Sequence, residues 1–96
     1  PPYTFVSTLT ISSNSEDLAE EYIIKTMKLV SQNSNGAITA IGPTKPYVYK
    51  DNQGFKRQCM FKYKNKSQFD EIIENIIKIL SKKPSISIKI NIDALD

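Results

Sequence analysis

Histidine and tryptophan are missing from this chain of 96 residues, and cysteine occurs once. Without imidazole, the commonest general base and a principal zinc ligand are both lacking, so a Cys/His zinc cluster and a cysteine–imidazole nucleophile are excluded. The single cysteine, Cys59, excludes an intramolecular disulfide and fits a reducing, cytoplasmic compartment. Glycine is scarce as well. Gly36, Gly42 and Gly54 stand far apart, so no glycine-rich cradle for a nucleotide phosphate is present and each reads as a turn residue. No apolar run is long enough to cross a bilayer, and no Gly/Ser linker or low-complexity tract interrupts the chain, so no membrane contact is expected. The first residues, Pro1-Pro2-Tyr3, include no initiator Met, basic leader or apolar leader core, which reads as a segment taken from a longer protein.

What remains is an ordinary globular composition, with 40% hydrophobic and 24% charged residues, sufficient for one domain over residues 1–96. Tyr3, Phe5, Ser7, Leu9 and Ile11 alternate with Thr4, Val6, Thr8 and Thr10, the period of a half-buried strand. Ser13-Asn14-Ser15-Glu16 has the form of a capping box. After it Ala19, Tyr22, Ile23, Met27 and Val30 recur at helical spacing as far as Gln32, before the Asn33-Ser34-Asn35-Gly36 stop. Residues 37–41 predict a short strand ended by Gly42-Pro43, and residues 44–54 a long, partly extended hairpin connection. Phe55, Arg57, Cys59, Phe61 and Tyr63 then alternate with Lys56, Gln58, Met60, Lys62 and Lys64 in a third strand. Ser67 is the candidate cap of a second helix bearing Phe69, Ile72, Ile73, Ile76, Ile77 and Leu80, with Lys78, Lys82 and Lys83 suited to its C-terminal dipole and Pro84 to stop it. Ile86, Ile88, Ile90 and Ile92 alternate with Ser87, Lys89, Asn91 and Asp93 in a closing strand.

The order β-α-β-β-α-β predicts an α+β, ferredoxin-like domain: a four-stranded antiparallel sheet with both helices on one face. The other face is then left open, carrying Thr4, Thr8, Thr10, Lys56, Gln58, Lys62, Lys64, Ser87, Lys89 and Asn91. Charge is concentrated on one part of the chain. Residues 45–66 hold seven basic residues (Lys45, Lys50, Lys56, Arg57, Lys62, Lys64 and Lys66) against Asp51 alone, for a local charge of +6 in a chain of net +3. Such a segment suits phosphate contacts with single-stranded or branched DNA, and Lys45, Lys50, Lys56, Arg57, Lys62, Lys64 and Lys89 are the candidate DNA-binding residues. The other reading of Lys56, Lys62 and Lys64 is an ordinary solvated strand face. No aromatic belongs to the outward set of the first or third strand, so base stacking of the RNA-recognition kind is not expected there. Tyr47 and Tyr49 are expected to pack against the sheet edge, the alternative being a small aromatic and basic patch with Lys45 and Lys50. Cys59 has core parity and reads as a small hydrophobe; Glu16, Asp17, Glu20, Glu21, Asp70, Glu71 and Glu74 fall where helical first turns are expected, and the helix dipole accounts for them. No catalytic or metal-binding residue is assigned.

Four stretches taken in order carry a resemblance: Pro1-Pro2-Tyr3-Thr4-Phe5, Ile41-Gly42-Pro43, Phe55-Lys56-Arg57-Gln58-Cys59-Met60 and Ser87-Ile88-Lys89-Ile90-Asn91-Ile92-Asp93. Together they resemble, over nearly the whole chain, the C-terminal domain of the PriA family of replication-restart DNA helicases, also called primosomal protein N′. The shared pattern is a Pro-Pro-aromatic entry, a Gly-Pro ending the second strand, an aromatic-basic-x-Gln-apolar-apolar third strand and an alternating closing strand. Asn91 departs from the family's first closing acidic residue, and Ala94 stands where proline is usual. The resemblance implies a fold similar to small-subunit ribosomal protein ten. It implies an ATP-dependent parent helicase whose ATP and zinc sites lie upstream of Pro1, with no cofactor in this segment. It also implies a domain that packs on the helicase core of its own chain, helps bind single-stranded and branched DNA, and lies near the site for the acidic tail of the single-stranded-DNA-binding protein. Lys56, Arg57 and Gln58 match the basic-x-Gln stretch and take the partner-binding role by that resemblance. A docking domain without DNA binding, or a ribosomal-type ferredoxin-like domain, are the alternatives, since this fold hosts many functions.

Overall fold

The structure, a computed structural model, describes residues 4–83 and 85–95, with side chains in the last strand as far as Asn91. Its elements are β1 (Thr4–Ser13), α1 (Glu16–Asn33), β2 (Thr39–Thr44), β3 (Lys50–Asp51), β4 (Gly54–Tyr63), α2 (Lys66–Leu80) and β5 (Ile86–Leu95). The sheet runs β2-β4-β1-β5, antiparallel throughout, with the short β3 paired to β4 beside this path. Leaving β3 aside, this is the split βαβ arrangement that the strand and helix periods predict, and the fold is ferredoxin-like. The Pro1-Pro2-Tyr3 entry, the stop at Pro84 and the inward placement of Ile92 lie outside the described residues.

Alternation sorts the sheet into two faces. Leu9 lies opposite Cys59 on one side and Ile90 on the other, and Ser7 opposite Phe61. This set joins Tyr22, Ile23 and Val30 of α1 and Phe69, Ile73, Ile76 and Leu80 of α2 in one core. Phe69 stacks on Tyr63 at 4.0 Å between ring centroids, tying α2 to the end of β4. Each fully buried Leu, Ile or Phe here contributes about 1.5–3 kcal/mol by leaving water. Two of the buried polar side chains are satisfied within the core: Ser7 Oγ and Tyr63 Oη share a hydrogen bond of 2.6 Å, and Thr26 Oγ1 donates to the Tyr22 carbonyl at 2.7 Å. Thr26, rather than the expected Met27, is fully buried on α1; Met27 only flanks the core.

Several boundaries move from their expected places. The α1 cap is Ser15, whose Oγ accepts from Leu18 N at 3.3 Å, while Ser13 Oγ accepts from Ser15 N at 3.1 Å and shapes the approach. The Ser13–Glu16 capping box therefore does not form. Helix α2 begins a residue before Ser67, with Asn65 Oδ1 accepting from Gln68 N at 3.0 Å. Asp70 consequently leaves the first turn and pairs with Lys66 one turn back, at 2.7 Å. Because α2 ends at Leu80, only Lys78 of the three expected lysines is in its last turn. Strand β2 passes through Gly42-Pro43 to Thr44 with a register shift, which an edge strand tolerates because its outward N–H groups have no ladder partner.

Candidate nucleic-acid interface

Strand pairing fixes what the helix-free face presents. Across it run the rows Thr8–Met60–Ile41 with Asn91, Thr10–Gln58–Thr44 with Lys89, Ser12–Lys56 with Ser87, and Val6–Lys62–Thr39. The face is mixed rather than uniformly polar, since Ile41 is exposed, Met60 half-buried and Val6 buried upon it. Lys64 lies just past the end of β4, beside Lys62, Thr4 and Thr39 around a shallow hollow.

The seven basic residues of the 45–66 segment do not form one basic surface. Arg57 has inward parity, opposite Ile11, and is 6% exposed. Its Nη2 donates to Glu16 Oε2 at 2.8 Å, its Nε to Glu20 Oε2 at 3.1 Å and its Nη1 to the Lys56 carbonyl at 2.9 Å. This guanidinium fastens α1 to β4 with three of its five N–H donors engaged within the chain, which weighs against the DNA-binding and partner-binding role expected of Arg57. The Arg57 hydrogen bond holds the Glu16 carboxyl below the usual carboxylate range, and the same contact raises Arg57 further. Lys56 Nζ lies 2.7 Å from Asp51 Oδ2, and this hydrogen bond lowers the Asp51 carboxyl. Lys45 Nζ is 3.8 Å from Glu16 and 5.0 Å from the Tyr49 ring centroid, and Lys50 Nζ stands 4.8 Å from that of Phe55. Among the described residues, Lys62, Lys64 and Lys89 have no carboxylate within ion-pair distance, and Gln58 sits half-buried on the open face between Thr10 and Thr44.

The connection over residues 45–53 curls back over the open face. Lys56 N donates to the Tyr49 carbonyl at 2.6 Å, and Gln53 N to Asp51 Oδ1 at 2.8 Å, which holds the loop beside the end of β4. The Asp51-Asn52-Gln53-Gly54 turn closes with Gly54 at φ +111°, where a Cβ would lie 2.4 Å from the Ser13 carbonyl oxygen. A depression of roughly 850 Å³ results, with Thr10, Ser12, Ser87 and Asn91 as its floor, Pro46, Tyr47 and Val48 as a wall, and Lys56 and Lys89 at the margins. The expectation that Tyr47 and Tyr49 pack against the sheet edge is corrected: Tyr47 is fully exposed and Tyr49 is 44% exposed. Of the aromatic and basic patch, Lys45 over Tyr49 is present, while Lys50 lies over Phe55 and Tyr47 stands apart in solvent. The consecutive run Tyr47-Val48-Tyr49 fits neither a strand nor a helix period, and that misfit is the feature by which the sequence marks it.

Cys59 is 1% exposed, and burial pushes its thiol up to about 12, which keeps it protonated and unreactive in the folded chain. Among the described residues no three His, Cys, Asp or Glu side chains converge as metal ligands would, and no helix is long and apolar enough to cross a membrane.

No protein-family model and no curated protein matches the chain. Solved structures do match it in shape. A de novo designed protein, Foldit4, shares 14% identity at a TM-score of 0.68, covering 94% of this chain and 96% of its own. A dimeric ferredoxin-like protein from an uncultured marine organism shares 20% identity at a TM-score of 0.60, with 98% and 89% covered. Ribosomal protein S6 of the 30S subunit from Thermotoga maritima shares 17% identity at a TM-score of 0.55, with 98% and 88% covered. At these identities the likeness is one of fold alone, and a fold shared by a designed protein and a ribosomal protein assigns no activity.

Proposed function

We propose that this chain is the C-terminal accessory domain of a PriA-type replication-restart helicase, acting in a cytoplasmic setting. On this reading it adds a sequence-independent contact to single-stranded or branched DNA and docks on the helicase core and the single-stranded-DNA-binding protein. ATP and zinc belong to the remainder of such a parent, not to these residues. The reading is supported by the ordered stretches that resemble the family and by an element order in keeping with it. The observation that carries the DNA contact is Lys62 and Lys89 on the helix-free face with Lys64 just past the end of β4, all three exposed and with no carboxylate in ion-pair distance among the described residues. Phosphates approaching these ammonium groups release counterions and meet no carboxylate competitor among the described residues.

Docking draws support from the opposite side of the molecule. Ile79 is 57% and Ile24 36% exposed on the outer faces of the helices, and Leu29, Ile72, Ile76 and Ile79 line a hollow of about 300 Å³. Apolar surface of this kind suits a permanent contact with another domain. The test is binding of fluorescently labelled single-stranded and forked DNA at low and moderate salt, together with titration of an acidic tail peptide against the chain alone and joined to a helicase core. DNA binding that weakens with salt, and tail binding in at least one of those contexts, are expected. Absence of DNA binding at low salt overturns the DNA-contact reading; absence of tail binding in both contexts overturns the docking reading.

A further inference from the structure

We propose that the depression between the 45–53 connection and the open sheet face is a base-stacking subsite for unpaired nucleic acid, with Tyr47 as the stacking ring and Lys89 as the phosphate contact. The inference rests on the DNA-binding reading above and assigns it a place and a mode. Tyr47 leaves its whole ring in water, so both faces are open to a flat partner. The ring rises from a loop tied to β4 through the Lys56–Tyr49 backbone bond and framed by Pro46, so it is presented on a short, constrained segment. The same depression presents the hydroxyls of Thr10 and Ser87 and the amide of Asn91, donors and acceptors suited to base edges without demanding one base. Lys89 bounds the hollow on the β5 side with no carboxylate in ion-pair distance among the described residues, while Lys56 is neutralised by Asp51. No acidic residue lines the depression among the described residues.

An aromatic wall, a polar floor and one ammonium at the rim with no ion-pair partner among the described residues are the elements of a nucleotide site that tolerates any base. Stacking of this type is sequence-tolerant because every base has a π-face. An unpaired base exists in a single strand or in a free nucleotide. The strand is favoured because Lys62, four positions further along the same face, and Lys64 just past the end of β4 also lack a carboxylate in ion-pair distance among the described residues.

The test is fluorescence anisotropy of a labelled oligothymidylate with the 96-residue chain and its variants Tyr47→Ala, Tyr47→Phe and Lys89→Gln, each across a salt series. Thermal unfolding is measured beside it to show that the fully exposed position 47 leaves the fold intact. Tyr47→Ala is expected to weaken binding about tenfold without altering the slope of log affinity against log salt, and Tyr47→Phe to restore it. Lys89→Gln is expected to lower that slope by about 0.7. Thymidine monophosphate is expected to compete only at far higher concentration than the strand; competition at equal concentration overturns the assignment to a strand. Oligothymidylate binding that Tyr47→Ala leaves unchanged overturns this subsite while leaving the DNA-binding reading intact. Failure of the unaltered chain to bind oligothymidylate at low salt overturns both. Tyr47-dependent binding of an acidic peptide in place of the oligonucleotide overturns the subsite in favour of a protein partner.

Discussion

Arg57 occupies a sheet position where an apolar side chain is the rule, and Glu16 and Glu20 on the first turns of α1 make it tenable. The contact has a pH signature. Because the Glu16 carboxyl is lowered in the folded chain, its contribution is fully present above the ordinary value of 4.5 and is lost as pH falls through the lower folded value. Asp51 acts in the same direction from its ordinary 3.8. Unfolding midpoints in urea, followed from pH 7 downwards, are expected to drop below about pH 4.5 in the unaltered chain and to drop less in Arg57→Met, whose acid limb lacks the Glu16 component. Cys59 gives a second residue-level outcome. Alkylation at pH 8 is expected only as fast as the chain unfolds, so its rate rises with denaturant in step with unfolding; rapid labelling of the folded chain contradicts the buried placement. Gly54→Ala is expected to cost about 1–3 kcal/mol or more, since it combines a left-handed backbone with a collision against the Ser13 carbonyl. The inward parity of Cys59 was legible in the sequence. The burial of Arg57 as a paired cation was not, because alternation reports which side a residue takes and not which carboxylates of a distant helix meet it there.

At the scale of elements, periodicity placed every long strand and both helices, while their ends depended on local hydrogen bonds that several residues were equally able to make. Asn65 and Ser67 illustrate this: each is a good N-cap, and the choice falls on Asn65 because starting the helix there sets Phe69 over Tyr63. Asn65→Ala is therefore expected to cost about 1 kcal/mol, measured by urea unfolding, and Ser67→Ala close to nothing. The reverse order contradicts the observed start of α2. Pro43 predicts an early end to strand β2 because proline breaks a central ladder; the strand's position at the sheet edge, invisible in the sequence, removes that objection. The 45–53 connection was the least legible segment. Its shape follows from backbone bonds to β4 that no side-chain pattern encodes, and Tyr47 gained its exposed position from that shape.

For the whole molecule, the two-faced sheet was legible from alternation alone, whereas the distribution of charge was not. A local excess of +6 along the chain disperses in three dimensions, with Arg57 turned inward, Lys45, Lys56 and Lys66 set against carboxylates, Lys50 over Phe55, and Lys62 and Lys64 exposed at one end of β4 while Lys89 stands apart on β5. The proposed working surface therefore rests on the open-face cations that lack an ion-pair partner among the described residues and not on how many lie close in sequence. The most direct measurement is the salt dependence of single-stranded DNA binding by the unaltered chain, by Lys62→Gln/Lys64→Gln/Lys89→Gln and by Lys45→Gln/Lys66→Gln. The first triple variant is expected to lose about two units of the log–log salt slope together with most of its low-salt affinity, and the second variant to keep both. Equal losses in the two variants, or binding indifferent to the open-face lysines, would contradict the account.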